Sequence, residues 1–142
     1  MKDIRCGVVV ALFNRSVTEK LEQGALAVLK NHGCEDVRVV HVPGAVEIPL
    51  AAKALFLKGY DAVVAVGAVI RGETSHYEHV CQSVERGCSQ LQLEFMKPLA
   101  FGVITVENEE QAIARTDGGH GNKGAEAAET ALSMVRILKE IR

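Results

Sequence analysis

The sequence predicts an α/β protein, a four-stranded parallel sheet held between two layers of helices in one domain. Short continuous apolar runs alternate with stretches whose apolar residues recur at helical spacing. A strand covered on both faces reads as such a run, which is the mark of a parallel sheet inside a three-layer α/β/α sandwich. The 142 residues suffice for one core, and no linker, internal repeat or low-complexity segment divides them.

The elements follow in chain order. CGVVVAL (6–12) is the first strand. Ser16-x-x-Glu19 predicts a capping box for the first helix, with Val17, Leu21, Ala25, Val28 and Leu29 as its stripe. Gly33 suits the position past its end. VRVVHV (37–42) is the second strand, and PGAVEIP (43–49) turns the chain into a helix carrying Ile48, Ala51, Ala52 and Leu55. Gly59 ends that helix. DAVVAVGAVI (61–70) is the third strand. Val80, Val84, Cys88, Leu91 and Phe95 stripe the third helix, and Pro98 stops it. AFGVITV (100–106) is the fourth strand, ENEEQAIAR (107–115) a short acidic helix and TDGGHGNKG (116–124) a glycine-rich turn. The last helix carries Ala128, Ala131, Leu132, Val135 and Leu138. Right-handed crossovers then put helices on both faces of the sheet.

Composition excludes several classes. Nearly half the residues are apolar, so the chain is not disordered. The formal charge of −2, with no block of like charge, argues against a nucleic-acid or membrane surface. The longest apolar run, Ala62 to Ile70, is about half of what a bilayer span needs. MKDIRCGVVV has an acid near its start and no small-residue cleavage site, so no signal peptide is read and the expected location is the cytoplasm. Cys6, Cys34, Cys81 and Cys88 form no C-x-x-C pair and are expected as four buried, reduced thiols.

Polar residues gather where ligands bind such sheets, beyond the carboxyl ends of the strands. Strand one runs into Phe13-Asn14, strand two into Pro43-Gly44-Ala45-Val46-Glu47, and strand three into Arg71-Gly72-Glu73-Thr74-Ser75-His76. Gly72 lets backbone approach a ligand closely. The helix start behind it offers unpaired N–H donors that favour an anion such as phosphate. Thr74 and Ser75 serve equally as a helix cap, and a helix start can do both jobs. His76 is the candidate general acid–base, since imidazole titrates near neutral pH. With Glu73 and His79 it also raises a metal alternative, but only one E-x-x-H copy is present. Glu47 is either a charge suited to a helix start or an acceptor for the N–H groups of a polar ring.

One motif is misleading. Residues 119–124, GHGNKG, match G-x-G-x-x-G, but a helical stretch precedes them where a dinucleotide site needs a strand. They read as a helix–helix turn in which Lys123 can contact phosphate.

Taken together, Phe13-Asn14, PGAVEIP, GAVIRGETSHYEHV, FGVIT-x-EN-x-EQA and GNKG resemble the 6,7-dimethyl-8-ribityllumazine synthase family, in this order and over almost the whole chain. The resemblance implies a flavodoxin-like sheet and a transferase of riboflavin biosynthesis. Its substrates are 5-amino-6-(D-ribitylamino)uracil and 3,4-dihydroxy-2-butanone 4-phosphate. Carried over by position, Phe13 stacks on the pyrimidine. Ala45, Val46, Glu47, Ala68, Val69 and Ile70 line the ring and ribityl pocket, and Phe101 completes it. Glu73, Thr74, Arg115 and Lys123 hold the phosphate, and His76 moves the proton. The condensation consists mainly of proton transfers, so no metal or other cofactor is implied.

Phe101 opens the fourth strand, at the end of the sheet opposite the other motifs. If it touches substrate, it does so from a neighbouring subunit. The family agrees, being at least homopentameric with sites between adjacent subunits. A sixty-subunit shell and a riboflavin synthase partner remain open. Ala125, Ala127, Ala128 and Ala131 are expected to pack against equivalent helices near the ring axis. The chain departs from the family in two places. Gly119 replaces the first lysine of the family's G-T-K-A-G-N-K-G turn. Strand one also starts almost at Met1, where many relatives carry an extra strand that pairs with a neighbour. Two other readings use the same sheet. A non-catalytic flavin or lumazine binder would not need His76 and Arg115. The related pentameric riboflavin synthase of archaea is disfavoured by the R-G-E-T-x-H block.

Overall fold

The computed structural model describes residues 1–72, 76–116 and 121–142. Its order is β1 (Arg5–Ala11), α1 (Arg15–Asn31), β2 (Asp36–Val42), a 3₁₀ turn (Ala45–Glu47), α2 (Ile48–Leu57), β3 (Ala62–Ile70), α3 (Tyr77–Phe95), β4 (Leu99–Val106), α4 (Glu109–Ala114) and α5 (Lys123–Ile141). The four strands pair in parallel in the order β2-β1-β3-β4. This is the flavodoxin-like α/β sandwich that the sequence predicts. The chain leaves β1 first to one side and then to the other, so the switch point lies between β1 and β3.

The alternation of side chains divides the core into two. Val8 and Val10 of β1 and Val64, Val66 and Ala68 of β3 point to one face. There they meet Leu21, Ala25 and Leu29 of α1 and Ala128, Ala131 and Leu132 of α5. Val9, Ala11, Val63, Ala65 and Val69 point to the other face, against Ile48, Ala52 and Leu55 of α2 and Val84, Cys88 and Leu91 of α3. Every residue of β3 is buried, which is why its run reads as apolar without alternation.

Some local expectations change. Ser16 does not cap α1, because the helix begins two residues earlier than that cap requires, at Arg15 behind Asn14. Asn14 is left-handed (φ 64°), and its amide donates to Ala68 O at 3.1 Å, tying the ends of β1 and β3 together. A left-handed residue suits Asn better than most. Three of the four alanines expected near a ring axis are taken up by the subunit's own core, and only Ala125 is half-buried. Ala127, Ala128 and Ala131 are buried in their own subunit, because the stripe containing Leu132 and Val135 packs on the sheet. Cys6, Cys34 and Cys88 are buried free thiols, but Cys81 is only half-buried. Burial pushes the Cys6 and Cys88 thiols up to about 12, so they carry no thiolate chemistry at neutral pH.

Candidate active site

A cleft of about 240 Å³ opens at the switch point, beyond the carboxyl ends of β1 and β3. Phe13, Gly44, Ala45, Val46, Glu47, Ala68, Val69, Ile70 and Val80 line it. Three separate stretches of chain meet here for backbone reasons. Leu12 N–H donates to Val42 O (2.8 Å) and Phe13 N–H to Pro43 O (3.2 Å), which brings the Phe13 loop beside the Pro43 turn. The Asn14 amide then fixes that loop to β3. Phe13 is 55% and Val46 49% exposed, so apolar surface faces the opening. Such surface at the mouth of a cleft is what a planar ring can cover.

His76 stands just before α3, with backbone φ −120° and ψ 35°, and its carbonyl accepts the Val80 N–H at 2.9 Å. It is therefore one helical turn from a lining residue, and its imidazole is exposed. The rings of His76 and His79 lie 6.3 Å apart. Glu73 and Thr74, expected at the phosphate, lie outside the described residues, as does Ser75. Among the described residues no three His, Cys, Asp or Glu side chains converge as a metal site.

Arg71 braces this corner. Its backbone N–H donates to Val106 O (2.8 Å), and its guanidinium pairs with Glu107 (2.9 Å) and Glu78 (3.0 Å). The guanidinium also sits 4.9 Å from the centre of the Tyr77 ring. One side chain thus links the ends of β3 and β4 to the first turn of α3. Gly72 follows with φ 94°, a conformation that strongly favours glycine.

The remaining expected residues do not reach the cleft. Phe101 pairs with Ala65, five residues before the Ile70–Val106 pair, or roughly 16 Å along the strand. It is 39% exposed and lines a different groove, with Glu85, Cys88, Ser89 and Gln92 of α3. Arg115 and Lys123 lie together at the turn from α4 to α5, where Lys123 N–H donates to Arg115 O at 3.0 Å. The Arg115 guanidinium donates to Gln111 O (3.3 Å), and the Lys123 ammonium pairs with Glu126 (3.4 Å). Sequence reasoning missed Gly44 and Val80 as lining residues. Gly44 lies within the PGAVEIP stretch, whereas Val80 reads only as core.

Fold and cleft define a flavodoxin-like α/β protein with a largely apolar cleft at its topological switch point. The profile of the 6,7-dimethyl-8-ribityllumazine synthase family matches residues 3–139. A 6,7-dimethyl-8-ribityllumazine synthase of Bdellovibrio bacteriovorus is 53% identical over 143 aligned positions, covering 99% of this chain and 79% of that protein. One of Coxiella burnetii is 53% identical over 140 positions, covering 96% of this chain and 93% of that protein. The chain belongs to the 6,7-dimethyl-8-ribityllumazine synthase family. It is a transferase of riboflavin biosynthesis, forming the lumazine, phosphate and water from the aminouracil and the butanone phosphate.

Proposed function

We propose that this condensation takes place at a site completed by a second subunit, with His76 as the proton-transfer group. One observation carries the proposal. Phe13, the Ala45–Glu47 turn and the end of β3 line one cleft near His76, whereas Phe101 and the Arg115–Lys123 pair stand apart from it in the same chain. The cleft is also smaller than the ~300–1,000 Å³ usual for ligand pockets. A neighbour that brings Phe101, Arg115 and Lys123 supplies the missing wall and the charge for phosphate. Leu50 and Leu57 of α2 and Leu93 and Met96 at the end of α3 are 64–77% exposed, more apolar surface than a lone subunit needs.

In this reading the chain is one domain and forms at least a homopentamer in the cytoplasm. Rings of this kind allow the larger sixty-subunit shell, with riboflavin synthase as a partner. No helix among the described residues is long and apolar enough to cross a membrane. Phe13 and Phe101 hold the pyrimidine. Glu73 and Thr74, with Arg115 and Lys123, hold the phosphate. The amine attacks the ketone, and imine formation, phosphate loss and ring closure each move a proton within reach of His76. No metal or other cofactor enters these steps.

The test is direct. Wild-type protein given both substrates should develop the lumazine's fluorescence, and its absence would end the proposal. His76→Ala should fold and bind substrate yet turn over more slowly. Acid–base groups contribute ~10²–10⁴-fold, and the low end is expected because amines and ketones already condense in water. An unchanged turnover number would remove His76 from its role.

A further inference from the structure

We infer that Asn122 is a positioning residue for phosphate recognition, clipping the start of α5 to α1 and to Thr116 so that Arg115 and Lys123 stand side by side. The inference rests on the proposed assignment of those two cations to the phosphate.

The Asn122 amide head makes three hydrogen bonds, one accepted and two donated. Its Oδ1 accepts the Ala125 N–H at 3.0 Å and so caps α5. Its Nδ2 donates to Thr116 O at 2.6 Å and to Lys20 O of α1 at 3.0 Å. The cap needs only an oxygen, whereas the two donated bonds reach outside α5 altogether. α1 and α5 approach so closely here that only glycine fits on either side. A Cβ on Gly24 would strike the Asn122 side chain, and one on Gly124 would strike the Leu21 backbone.

The consequence falls on the two cations. Asn122 holds Thr116, the next residue holds Arg115 through the Lys123 N–H, and the ends of the α4–α5 turn are thereby closed on each other. The two residues are thus joined through their backbones, while the Arg115 guanidinium rests on Gln111 O and the Lys123 ammonium on Glu126. The arrangement suits a doubly charged phosphate, which takes a contact from each. A displacement of about an ångström in such a pair weakens recognition without touching the ring pocket.

The experiment separates clip from cap. Asn122→Ser keeps a capping oxygen, loses both donated bonds and adds no charge. Gly24→Ala leaves Asn122 in the sequence but pushes its side chain off α1, and Ala favours the helix in which it is placed. Each variant should raise the KM for 3,4-dihydroxy-2-butanone 4-phosphate about tenfold, below the ~10²-fold that an ångström of misplacement can cost. Competitive inhibition by inorganic phosphate should weaken in parallel, while the KM for the pyrimidine stays unchanged. Arg115→Ala is the control for the underlying assignment and should show the same selectivity more strongly. If Arg115→Ala is phosphate-selective but both clip variants keep wild-type KM values, or raise the two together, Asn122 is only a cap. If Arg115→Ala itself weakens both substrates equally, the phosphate assignment fails first and the inference with it.

Discussion

Two buried threonines make opposite use of the same hydroxyl. Thr116 is 3% exposed, and its Oγ1 donates to Ile113 O at 2.8 Å, closing the end of α4. Thr18 is fully buried in α1, and its Oγ1 has no hydrogen-bond partner among the described residues. An unsatisfied buried hydroxyl costs about 1–3 kcal/mol. Valine has the same shape without the polar atom. Thr18→Val should therefore stabilise the protein by about 1 kcal/mol, or roughly 3 °C in melting temperature for a chain of this size. Thermal unfolding of the two proteins under one set of conditions measures it. A lower melting temperature for the valine variant would mean that the hydroxyl has a partner after all. Asn14 is the contrasting residue, since its amide is used and its left-handed backbone excludes most replacements. In the sequence both look like ordinary polar residues near a helix start.

Elements in this fold are tied to one another mainly by apolar contact, but α1 and β2 also share a charge. Glu22 Oε1 accepts from Arg15 Nη1 (2.8 Å) and from His41 Nε2 on the edge strand (3.0 Å). Burial by itself raises the Glu22 carboxyl. The hydrogen bonds from His41 and Arg15 outweigh it and hold the group below its ordinary value of 4.5. A depressed carboxylate stabilises the fold above its unfolded value, and that stability is lost as pH falls through the folded one. Wild type should exceed Glu22→Gln in stability by about 1 kcal/mol at neutral pH, with the gap closing as pH drops below about 4.5. Denaturant unfolding at several pH values checks this, and a gap that persists in acid would show that the negative charge is not responsible. His41 had no legible context in the sequence, because its partner lies 19 residues away on another element. The elements themselves were legible to within a residue or two, since β3 is apolar throughout and α1 is striped. The cap of α1 was not, because Asn14 is set by its bond to β3 and not by local pattern. The cleft wall was legible through strand ends. Val80 was not, because a helix stripe does not say which of its members lines a cleft.

At the scale of the molecule, the arrangement of the expected site residues argues for an assembly. Phe101 lies on the edge strand, several registers from the cleft, and Arg115 and Lys123 adjoin α5 on the face opposite α2 and α3. A single chain would have to refold to bring them to Phe13. In the proposed ring, a cyclic head-to-tail contact would bring them there without any change in the subunit, with one copy's β4 edge against the next copy's strand ends and every copy satisfied by closure. Ala127, Ala128 and Ala131 of α5 do not contribute to such contacts, since their own core takes them. Complementation tests the arrangement. Phe13→Ala/His76→Ala protein lacks one half of each site, and Phe101→Ala/Arg115→Ala protein lacks the other. Each alone should be nearly inactive. After equal amounts exchange subunits at random, each half is intact with even odds, so about a quarter of the sites should regain activity. Lumazine fluorescence gives the recovered rate, and mass measurement in solution shows that mixed rings have formed. Mixed rings without recovered activity, or a wild-type monomer as active as the ring, would place the whole site within one chain.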